Sequence, residues 1–286
     1  METVFSNYKD YNYINALIFN NLYRLPSDID AVVGIPRSGM ITAAIIAEFR
    51  SLPLTDLFSF IQGNSIKTKF INHEGSLSKV FDYSSVKHIL LVDDTMGVGS
   101  TMKNAVEMVK ESNHDIKITT FVTFVEPFST DKVDIYCEVM RHQFMPYSVL
   151  KRAIQFSCVD MDGVLTEEVP HEYDTDDEKY IDFISNQRPI YVPETPIGII
   201  VTGRLIKYKD VTVDWLKRHN IQFQGIVMLN LPDKDARDSF NVGEYKGKVY
   251  LQSNAGLFIE SNYNEARTIK SVANKPVYCT QICNMI

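Results

Sequence analysis

Short apolar runs alternate with helix-like patterns along most of the 286 residues. Strand candidates in the first half are "AVVGI", "HILLV", "KITTFVTFV" and "VDIYC", at residues 31–35, 88–92, 117–125 and 133–137. Helix candidates are residues 9–23, 39–49 and 102–112. Continuous runs of branched residues, without polar alternation, are typical of strands buried in a parallel sheet. The pattern therefore predicts an α/β fold.

The same alternation begins again in the second half of the chain. Its strand candidates are "AIQFSCV", "IGIIV", "GIVML", "GLFIE" and "PVYC", at residues 153–159, 197–201, 225–229, 256–260 and 276–279. The intervening "RHQFMPYSVLKR" has no clear period, so we place a domain boundary near residue 150. We predict two parallel-sheet domains, 1–150 and 151–286. The acidic segment "EEVPHEYDTDDEKY" is expected to be a solvated excursion.

Two loops in the first half carry candidate chemistry. In "KHILLVDDTMGVGSTM" a strand ends in Asp93 and Asp94 and leads through small residues into a helix. In "AVVGIPRSGM" a strand leads into a loop with a charged fork, Arg37, and again a helix follows. Backbone N–H groups at helix N-termini bind anions, and ligands bind at the carboxyl ends of parallel strands. Together the loops predict a site for a phosphorylated sugar.

This pattern resembles the type I phosphoribosyltransferases, which use 5-phosphoribosyl 1-diphosphate (PRPP). The resemblance implies that Asp93 and Asp94 hold the ribose hydroxyls and that the loop with Arg37 grips the diphosphate with Mg²⁺. The following small-residue loop would bind the 5-phosphate. A mobile loop would close over the leaving group from within residues 62–79. The implied PRPP-binding residues are Arg37, Ser38, Gly39, Asp93, Asp94, Thr95, Gly97, Val98, Gly99, Ser100 and Thr101.

One departure from the family pattern concerns the acceptor. Purine-salvage members carry an aspartate at the start of the phosphate loop, where this chain has Gly97. A 6-oxopurine acceptor is therefore disfavoured, and the acceptor stays open. The tyrosine-rich "NYKDYNYINALIF" has two interpretations, stacking of an acceptor sugar or packing as an amphipathic helix, of which packing is favoured.

The second half opens with another acidic strand end, "FSCVDMDGVLTEE". Thr202 follows a later buried run, a lysine follows in "GEYKGKVY", and Glu260 ends "GLFIE". This order resembles the haloacid dehalogenase superfamily of phosphatases, with a minimal cap. The resemblance implies Asp160 as nucleophile and Asp162 as general acid and base. Thr202 would bind the phosphoryl group, and Lys246 rather than Lys248 would neutralise it. Glu260 would join Asp160 and the backbone carbonyl of Asp162 around Mg²⁺.

The phosphatase resemblance has its own departures. Many members carry two acidic residues in the last motif, whereas Ser261 and Asn262 follow Glu260 here, so Asn264 or Glu265 would have to assist. The chain between the first motif and "IGIIV" is too short for a large cap. We therefore expect a site open to bulky substrates. Arg204 would either meet substrate phosphate or form a surface salt bridge.

Composition limits the kinds of partner and cellular compartment that we expect for this chain. A formal net charge of −7 argues against broad nucleic-acid binding. No apolar run reaches the roughly 20 residues that a transmembrane helix needs, and the N-terminus lacks signal-peptide features. Four cysteines are too few for a disulfide framework. We expect a cytoplasmic protein, and its oligomeric state stays open, a homodimer included.

The two resemblances combine into one hypothesis. A phosphoribosyltransferase leaves ribose 5-phosphate on its acceptor, and a phosphatase then removes the 5-phosphate. The chain resembles bifunctional proteins of bacterial polysaccharide biosynthesis, which implies a saccharide or lipid-linked glycan as acceptor. Two alternatives remain: phosphoribosylation of a nucleobase coupled to a nucleotidase, and a PRPP-binding regulator without enzymatic activity.

Overall fold

The computed structural model describes residues 4–63, 66–68, 79–81, 85–112 and 115–286. Its internal contacts divide the chain into two units, residues 9–143 and residues 144–286 with the segment that ends at Tyr8. The N-terminal segment belongs to the second unit because its rings pack there. The Phe5 and Tyr8 rings lie 5.1 and 6.0 Å from the Phe144 ring.

The first unit is built on a parallel sheet, as predicted. Its strands are β1 (Ala31–Gly34), β2 (Leu54–Asp56), β5 (His88–Met96), β6 (Lys117–Val125) and β7 (Ile135–Val139), in the order β2-β1-β5-β6-β7. All four neighbouring pairs are parallel. Two further strands, β3 (Ile66–Thr68) and β4 (Lys79–Phe81), form a separate antiparallel pair. Most of the predicted mobile loop, including residues 69–78, lies outside the described residues.

Helices cover this sheet and close its core. They are α1 (Tyr11–Phe19), α2 (Gly39–Arg50), α3 (Leu57–Ile61) and α4 (Ser100–Ser112). The apolar face predicted for α4 is buried through Met102, Ala105 and Val109, which pack with the strand residues Ile89 and Leu91. The helical spacing of these three residues is what turns one face of α4 towards the sheet.

Strand β5 extends beyond its apolar run. The run predicted a strand that ends at residue 92, but the pairing with β6 continues to Met96 opposite Val125. Asp93 and Asp94 therefore belong to the end of the strand itself. Backbone hydrogen bonds to β6 hold these polar positions in extended conformation, a long-range effect that the local pattern does not contain.

The second unit has a mixed sheet, so the prediction of a purely parallel one is wrong. Its strands are β8 (Ser157–Val159), β9 (Ile197–Leu205), β10 (Phe223–Leu229), β11 (Leu257–Glu260), β12 (Val277–Cys279) and β13 (Asn284–Met285), in the order β10-β9-β8-β11-β12-β13. Only the last pair is antiparallel. A short turn joins β12 to β13, and strands joined by so short a connection pair antiparallel.

The helices of the second unit complete its layers. They are α5 (Pro146–Ser148), α6 (Glu178–Asn186), α7 (Lys209–Arg218), α8 (Lys234–Asp238), α9 (Val242–Gln252) and α10 (Tyr263–Ala273). Helices α9 and α10 approach closely at Gly247, where a Cβ atom would lie 2.8 Å from Val272 Cβ. Trp215 of α7 is fully buried in the core. Within the described ranges, no helix combines the length and apolarity that crossing a bilayer requires.

Candidate functional site

The two loops of the first unit meet at one edge of the sheet. Strands β1 and β5 are neighbours, with Gly34 opposite Val92, so the loops that follow them leave the sheet side by side. At Gly39 a Cβ atom would lie 2.8 Å from the carbonyl oxygen of Val92 and 2.9 Å from Asp93 Oδ1. Only glycine permits this approach. It brings the start of α2 against the acidic end of β5.

The two aspartates at this edge form a carboxylate pair in which Asp94 is buried and Asp93 half-buried. Asp94 is 4% exposed and accepts a hydrogen bond from Ser38 Oγ at 2.9 Å, while its own N–H donates to Asp93 Oδ1 at 2.9 Å. Burial, followed by the charge of Asp94, raises the pKa of Asp93 to about 8. A cation or hydroxyl donors beside the pair would favour its charged form and lower that pKa.

The small-residue loop has the backbone of an anion site. Gly99 has φ of 90°, in the left-handed region that favours glycine, and α4 begins at the next residue. The first N–H groups of a helix and its dipole favour an anion at this position. A Cβ atom at Gly97 would meet nothing within 4 Å, and Val98 is 68% exposed, so the loop is open to a ligand.

The structure brings all the predicted PRPP-binding residues to this edge. Arg37 is exposed on the loop after β1, and Thr101 lies in the first turn of α4. Thr95 is half-buried, with its Oγ1 3.4 Å from Asp94 Oδ1. The loop after β1 and the loop after β5 therefore lie side by side at this edge.

One further residue at this edge, Lys132, is not among the predicted ones. Lys132 Nζ donates to the carbonyl oxygen of Val98 at 3.1 Å, which puts a cation beside the anion loop. The signal for Lys132 was its position after β6, the strand beside β5. The tyrosine-rich segment forms α1, which packs through Ile14 and Ile18, in agreement with the favoured interpretation. Tyr11 at its start is 42% exposed, and burial, followed by the charge of Asp94, raises its pKa.

The second unit places its acidic strand end at the centre of its sheet. Asp160 follows β8, which lies between β9 and β11. Lys246 of α9 is 3% exposed, and its Nζ lies 2.8 Å from Asp160 Oδ2, 2.8 Å from Glu260 Oε2 and 2.7 Å from Glu265 Oε2. Lys248, the alternative lysine, lies on the surface and pairs with Glu244.

Burial and neighbouring charges shift the pKa values of Asp160 and Lys246. Burial, followed by the charge of Glu260, raises the pKa of Asp160 well above its usual range. Burial alone would lower the pKa of Lys246, but the surrounding carboxylates outweigh it and raise that pKa well above the usual value. One ammonium is thus locked in its charged form among three carboxyl groups.

Asp162 faces away from this cluster. Its carboxylate binds Arg204, with Oδ1 2.6 Å from Nη2 and Oδ2 2.9 Å from Nε, and Thr166 Oγ1 donates to it at 3.1 Å. Burial would raise the pKa of Asp162, but the Arg204 charge and these hydrogen bonds lower it. Arg204 is 1% exposed, so the surface alternative for this residue is wrong.

The predicted magnesium ligands are the side chains of Asp160 and Glu260 and the backbone carbonyl of Asp162. Lys246 Nζ lies 2.8 Å from both side chains, and the Asp162 carbonyl oxygen accepts a hydrogen bond from Ser261 Oγ at 3.0 Å. In the part of the chain that the structure describes, no three His, Cys, Asp or Glu side chains are grouped to hold a metal ion. In this desolvated cluster the Lys246 ammonium neutralises the carboxylates of Asp160 and Glu260.

A cavity of about 310 Å³ opens above Asp160. Thr202 is fully buried with its Oγ1 accepting the Arg204 N–H at 3.2 Å, and the next residue, Gly203, lines the cavity instead. Ser261 Oγ lies 3.0 Å from the carbonyl oxygen of Asp162 and 2.6 Å from Glu168 Oε1. The cavity is therefore lined both by the end of β8 and by the segment that follows it.

That segment, residues 167–177, forms what we call the acidic wall. It supplies Glu168, Val169 and Asp174 to the cavity lining. Arg237 of α8 binds Asp174, and Lys207 binds Asp176 at 2.6 Å. The segment is largely exposed, as predicted for a solvated excursion, and these ion pairs attach it beside the cavity.

Comparison with known proteins identifies the class of the first unit. Residues 6–156 match the phosphoribosyl transferase domain family, and the chain belongs to that family. The predicted resemblance of the first half is confirmed at this level. The match ends at residue 156, so the resemblance of the second unit to phosphatases rests on its own residues.

Two curated relatives are archaeal. The transcriptional regulator GfcR of Methanocaldococcus jannaschii is 29% identical over 99 residues, 35% of this chain and 46% of the relative. GfcR 2 of Methanosarcina acetivorans is 24% identical over 104 residues, 36% of this chain and 49% of the relative. The match spans about half the length of each relative.

Solved structures also resemble the chain. A purine phosphoribosyltransferase from Pyrococcus horikoshii has a TM-score of 0.35 at 18% identity, covering 48% of this chain and 89% of its own. The Helicobacter pylori xanthine-guanine-hypoxanthine phosphoribosyltransferase has a TM-score of 0.37 at 14% identity, covering 50% of this chain and 92% of its own.

Proposed function

We propose that this chain is a bifunctional enzyme that transfers ribofuranose to a glycan in two steps. The first unit would transfer the 5-phosphoribosyl group of PRPP to a saccharide or lipid-linked glycan, and the second would hydrolyse the 5-phosphate. Family membership supports the first step. The observation that carries the proposal is the buried Asp160–Lys246–Glu260 cluster in the same chain. An enzyme that attaches a phosphoribosyl group and carries a phosphatase site has the means to remove that phosphate.

The first step is a displacement at the anomeric carbon of PRPP. A bond forms between an acceptor oxygen and C1, the C1–diphosphate bond breaks, and the hydroxyl proton of the acceptor is released. Asp93 and Asp94 would accept hydrogen bonds from the ribose hydroxyls, and the backbone of residues 97–101 would hold the 5-phosphate. Arg37 would neutralise the departing diphosphate. Such a site works by positioning and by neutralising charge.

The second step is phosphate transfer to Asp160. A carboxylate oxygen of Asp160 attacks phosphorus, the bond to the ribose O5 breaks, and water then hydrolyses the aspartyl phosphate. Asp162 would give a proton to O5 and take one from the water. Its ionised state in the Arg204 pair suits the second of these roles. Donation of a proton to O5 requires that Asp162 first be protonated, which Arg204 opposes.

The carboxylate oxygens around Asp160 are donors of the type that Mg²⁺ takes, although Lys246 Nζ lies 2.8 Å from both Asp160 and Glu260. The cavity lining holds six carboxyl groups, Asp160, Asp162, Glu168, Asp174, Glu260 and Glu265, against three cations, Arg204, Arg237 and Lys246. A phosphate dianion would add to this excess of negative charge. Asp160 and Glu260 would hold Mg²⁺, which prefers carboxylate oxygens and would neutralise the phosphoryl group.

Mass spectrometry of reactions with Mg²⁺ and PRPP tests the proposal. Short saccharides and nucleobases serve as two acceptor panels, and the wild type is compared with Asp160→Asn. We expect a saccharide to gain a ribosyl mass with the wild type and a phosphoribosyl mass with the variant. Modification of nucleobases alone would overturn the glycan acceptor in favour of nucleobase phosphoribosylation coupled to a nucleotidase.

A second candidate function, that of a PRPP-binding regulator, is favoured by the names of the two curated relatives, both of which are called transcriptional regulators. Under this alternative the first unit binds PRPP and catalyses no transfer. PRPP binding measured by calorimetry, without diphosphate release in the presence of either acceptor panel, would favour the regulator. Diphosphate release that depends on a saccharide would exclude it.

A further inference from the structure

Ion pairs at Asp174 and Asp176 attach the acidic wall to the body of the second unit, in addition to the hydrogen bond between Ser261 and Glu168. Arg237 Nη2 donates to both oxygens of Asp174, at 2.6 and 2.7 Å, and Lys234 Nζ lies 3.4 Å from the same carboxylate. Asp176 accepts hydrogen bonds from Lys207 at 2.6 Å and from the Tyr208 hydroxyl. Of these ion pairs, only the Asp174–Arg237 pair lines the cavity above Asp160.

Arg237 keeps part of its hydrogen-bonding capacity. A guanidinium has five N–H donors, and all the bonds of Arg237 to described residues use Nη2. Nη1 and Nε have no hydrogen-bond partner among those residues. The side chain is only 17% exposed. A half-buried guanidinium with donors left over, lining a cavity, is suited to bind ligand oxygens.

The charges of the residues that line the cavity indicate which kind of ligand oxygen Arg237 binds. Asp174 already neutralises Arg237, and Asp162 neutralises Arg204. Carboxyl groups outnumber cations in the lining by six to three. A second anionic group on the substrate would therefore be repelled, whereas uncharged hydroxyls would be bound by the remaining N–H groups.

We propose that the Asp174–Arg237 pair makes the second unit selective for ribosyl 5-phosphate monoesters and protects PRPP from hydrolysis. This inference rests on the proposed phosphatase function. PRPP and the product of the first unit carry the same 5-phosphate ester, and PRPP differs by its diphosphate at C1. Arg237 binds the ribose hydroxyls, and the acidic lining excludes the diphosphate. The cavity of about 310 Å³ suits a single sugar phosphate and leaves the rest of a glycan outside.

Hydrolysis of ribose 5-phosphate and of PRPP by the full chain, with Mg²⁺, tests the inference. We expect wild type to favour ribose 5-phosphate. Arg237→Gln should lose roughly tenfold or more in kcat/KM for ribose 5-phosphate, mainly through KM, because a charged hydrogen bond is lost. Asp174→Asn removes one negative charge and frees Arg237, so it should raise PRPP hydrolysis relative to ribose 5-phosphate.

Lys207→Gln is the matched control. It removes the ion pair at Asp176 without changing a group that lines the cavity. If Lys207→Gln shifts the preference between the two substrates as much as the Asp174 and Arg237 variants do, the pair only holds the wall in place and the inference is wrong. Unchanged preference in both of those variants would also overturn it. Circular dichroism checks that each variant is folded.

Binding separates failure of this inference from failure of the proposed function. Ribose 5-phosphate is titrated into Asp160→Asn and into the double variant Asp160→Asn with Arg237→Gln. Weaker binding by the double variant supports the inference even if wild type hydrolyses neither substrate, an outcome that would reject only the phosphatase reaction. Equal binding by the two proteins rejects the role of Arg237.

Discussion

Replacing Lys246 by methionine tests how the cluster at the end of β8 is held together. Lys246 Nζ contacts three carboxyl groups at 2.7 to 2.8 Å. Asp160 is 5% exposed and Glu260 is fully buried, so both carboxyl groups are largely desolvated. Removing one partner of a buried ion pair costs about 3 to 5 kcal/mol. We expect the free energy of unfolding of the second unit to fall by that amount at neutral pH.

The loss should depend on pH in a defined direction. Burial and the Glu260 charge already raise the pKa of Asp160, and removal of Lys246 raises it further. An acid with a raised pKa in the folded state binds more protons there than in the unfolded state, so stability falls as pH rises above the ordinary carboxyl range. Lys246→Met should therefore be closest to wild type at about pH 5 and furthest from it at neutral pH.

Urea unfolding followed by tryptophan fluorescence is the assay. Trp215 is the single tryptophan of the chain and is buried in the second unit, so its emission reports that unit. Lys248→Met, two residues further along α9, is the control. It removes a surface lysine paired with Glu244 and should change stability by no more than about 0.5 kcal/mol. Equal stability of both variants, or a loss at Lys246 that does not vary with pH, would refute the reasoning.

Three further predictions concern single contacts. Gly39→Ala should lower the melting temperature of the first unit and weaken PRPP binding, because the new Cβ would lie 2.8 Å from backbone. Gly97→Ala has open space and should leave the melting temperature unchanged, so equal melting temperatures of the two variants would contradict the prediction. Wild type should lose stability relative to Asp93→Asn as pH rises from about 5 to 8, since the folded-state pKa of Asp93 is about 8, and parallel pH profiles in thermal unfolding would count against it. Arg204→Gln leaves the buried Asp162 carboxylate without its cation and should cost about 3 to 5 kcal/mol in urea unfolding, so a loss below 1 kcal/mol would show that the pair contributes little.

Local sequence motifs predicted most of the strands and helices of the first unit and some of the residues at the second site. The strand, loop and helix order around Asp93 and Asp94 follows from short-range patterns, and the structure assembles those loops at one edge. Lys132 was missed because its place beside the anion loop depends on which strands are neighbours. The acidic wall is largely exposed, as predicted, but a run of carboxylates gives no sign of the distant Arg237 and Lys207 that bind it.

By itself, the sequence determined the alternation of strands and helices and the acidic strand ends at Asp93 and Asp160, because apolar periodicity and turn residues act over a few positions. Only the tertiary structure decided that Lys246 is buried while Lys248 is exposed, and that Arg204 pairs with Asp162. It also decided that the last strand pairs antiparallel. These outcomes depend on which distant charged side chains and strand edges are buried together. Burial removes water from these groups, so they must pair with one another, and this happens only in the folded chain.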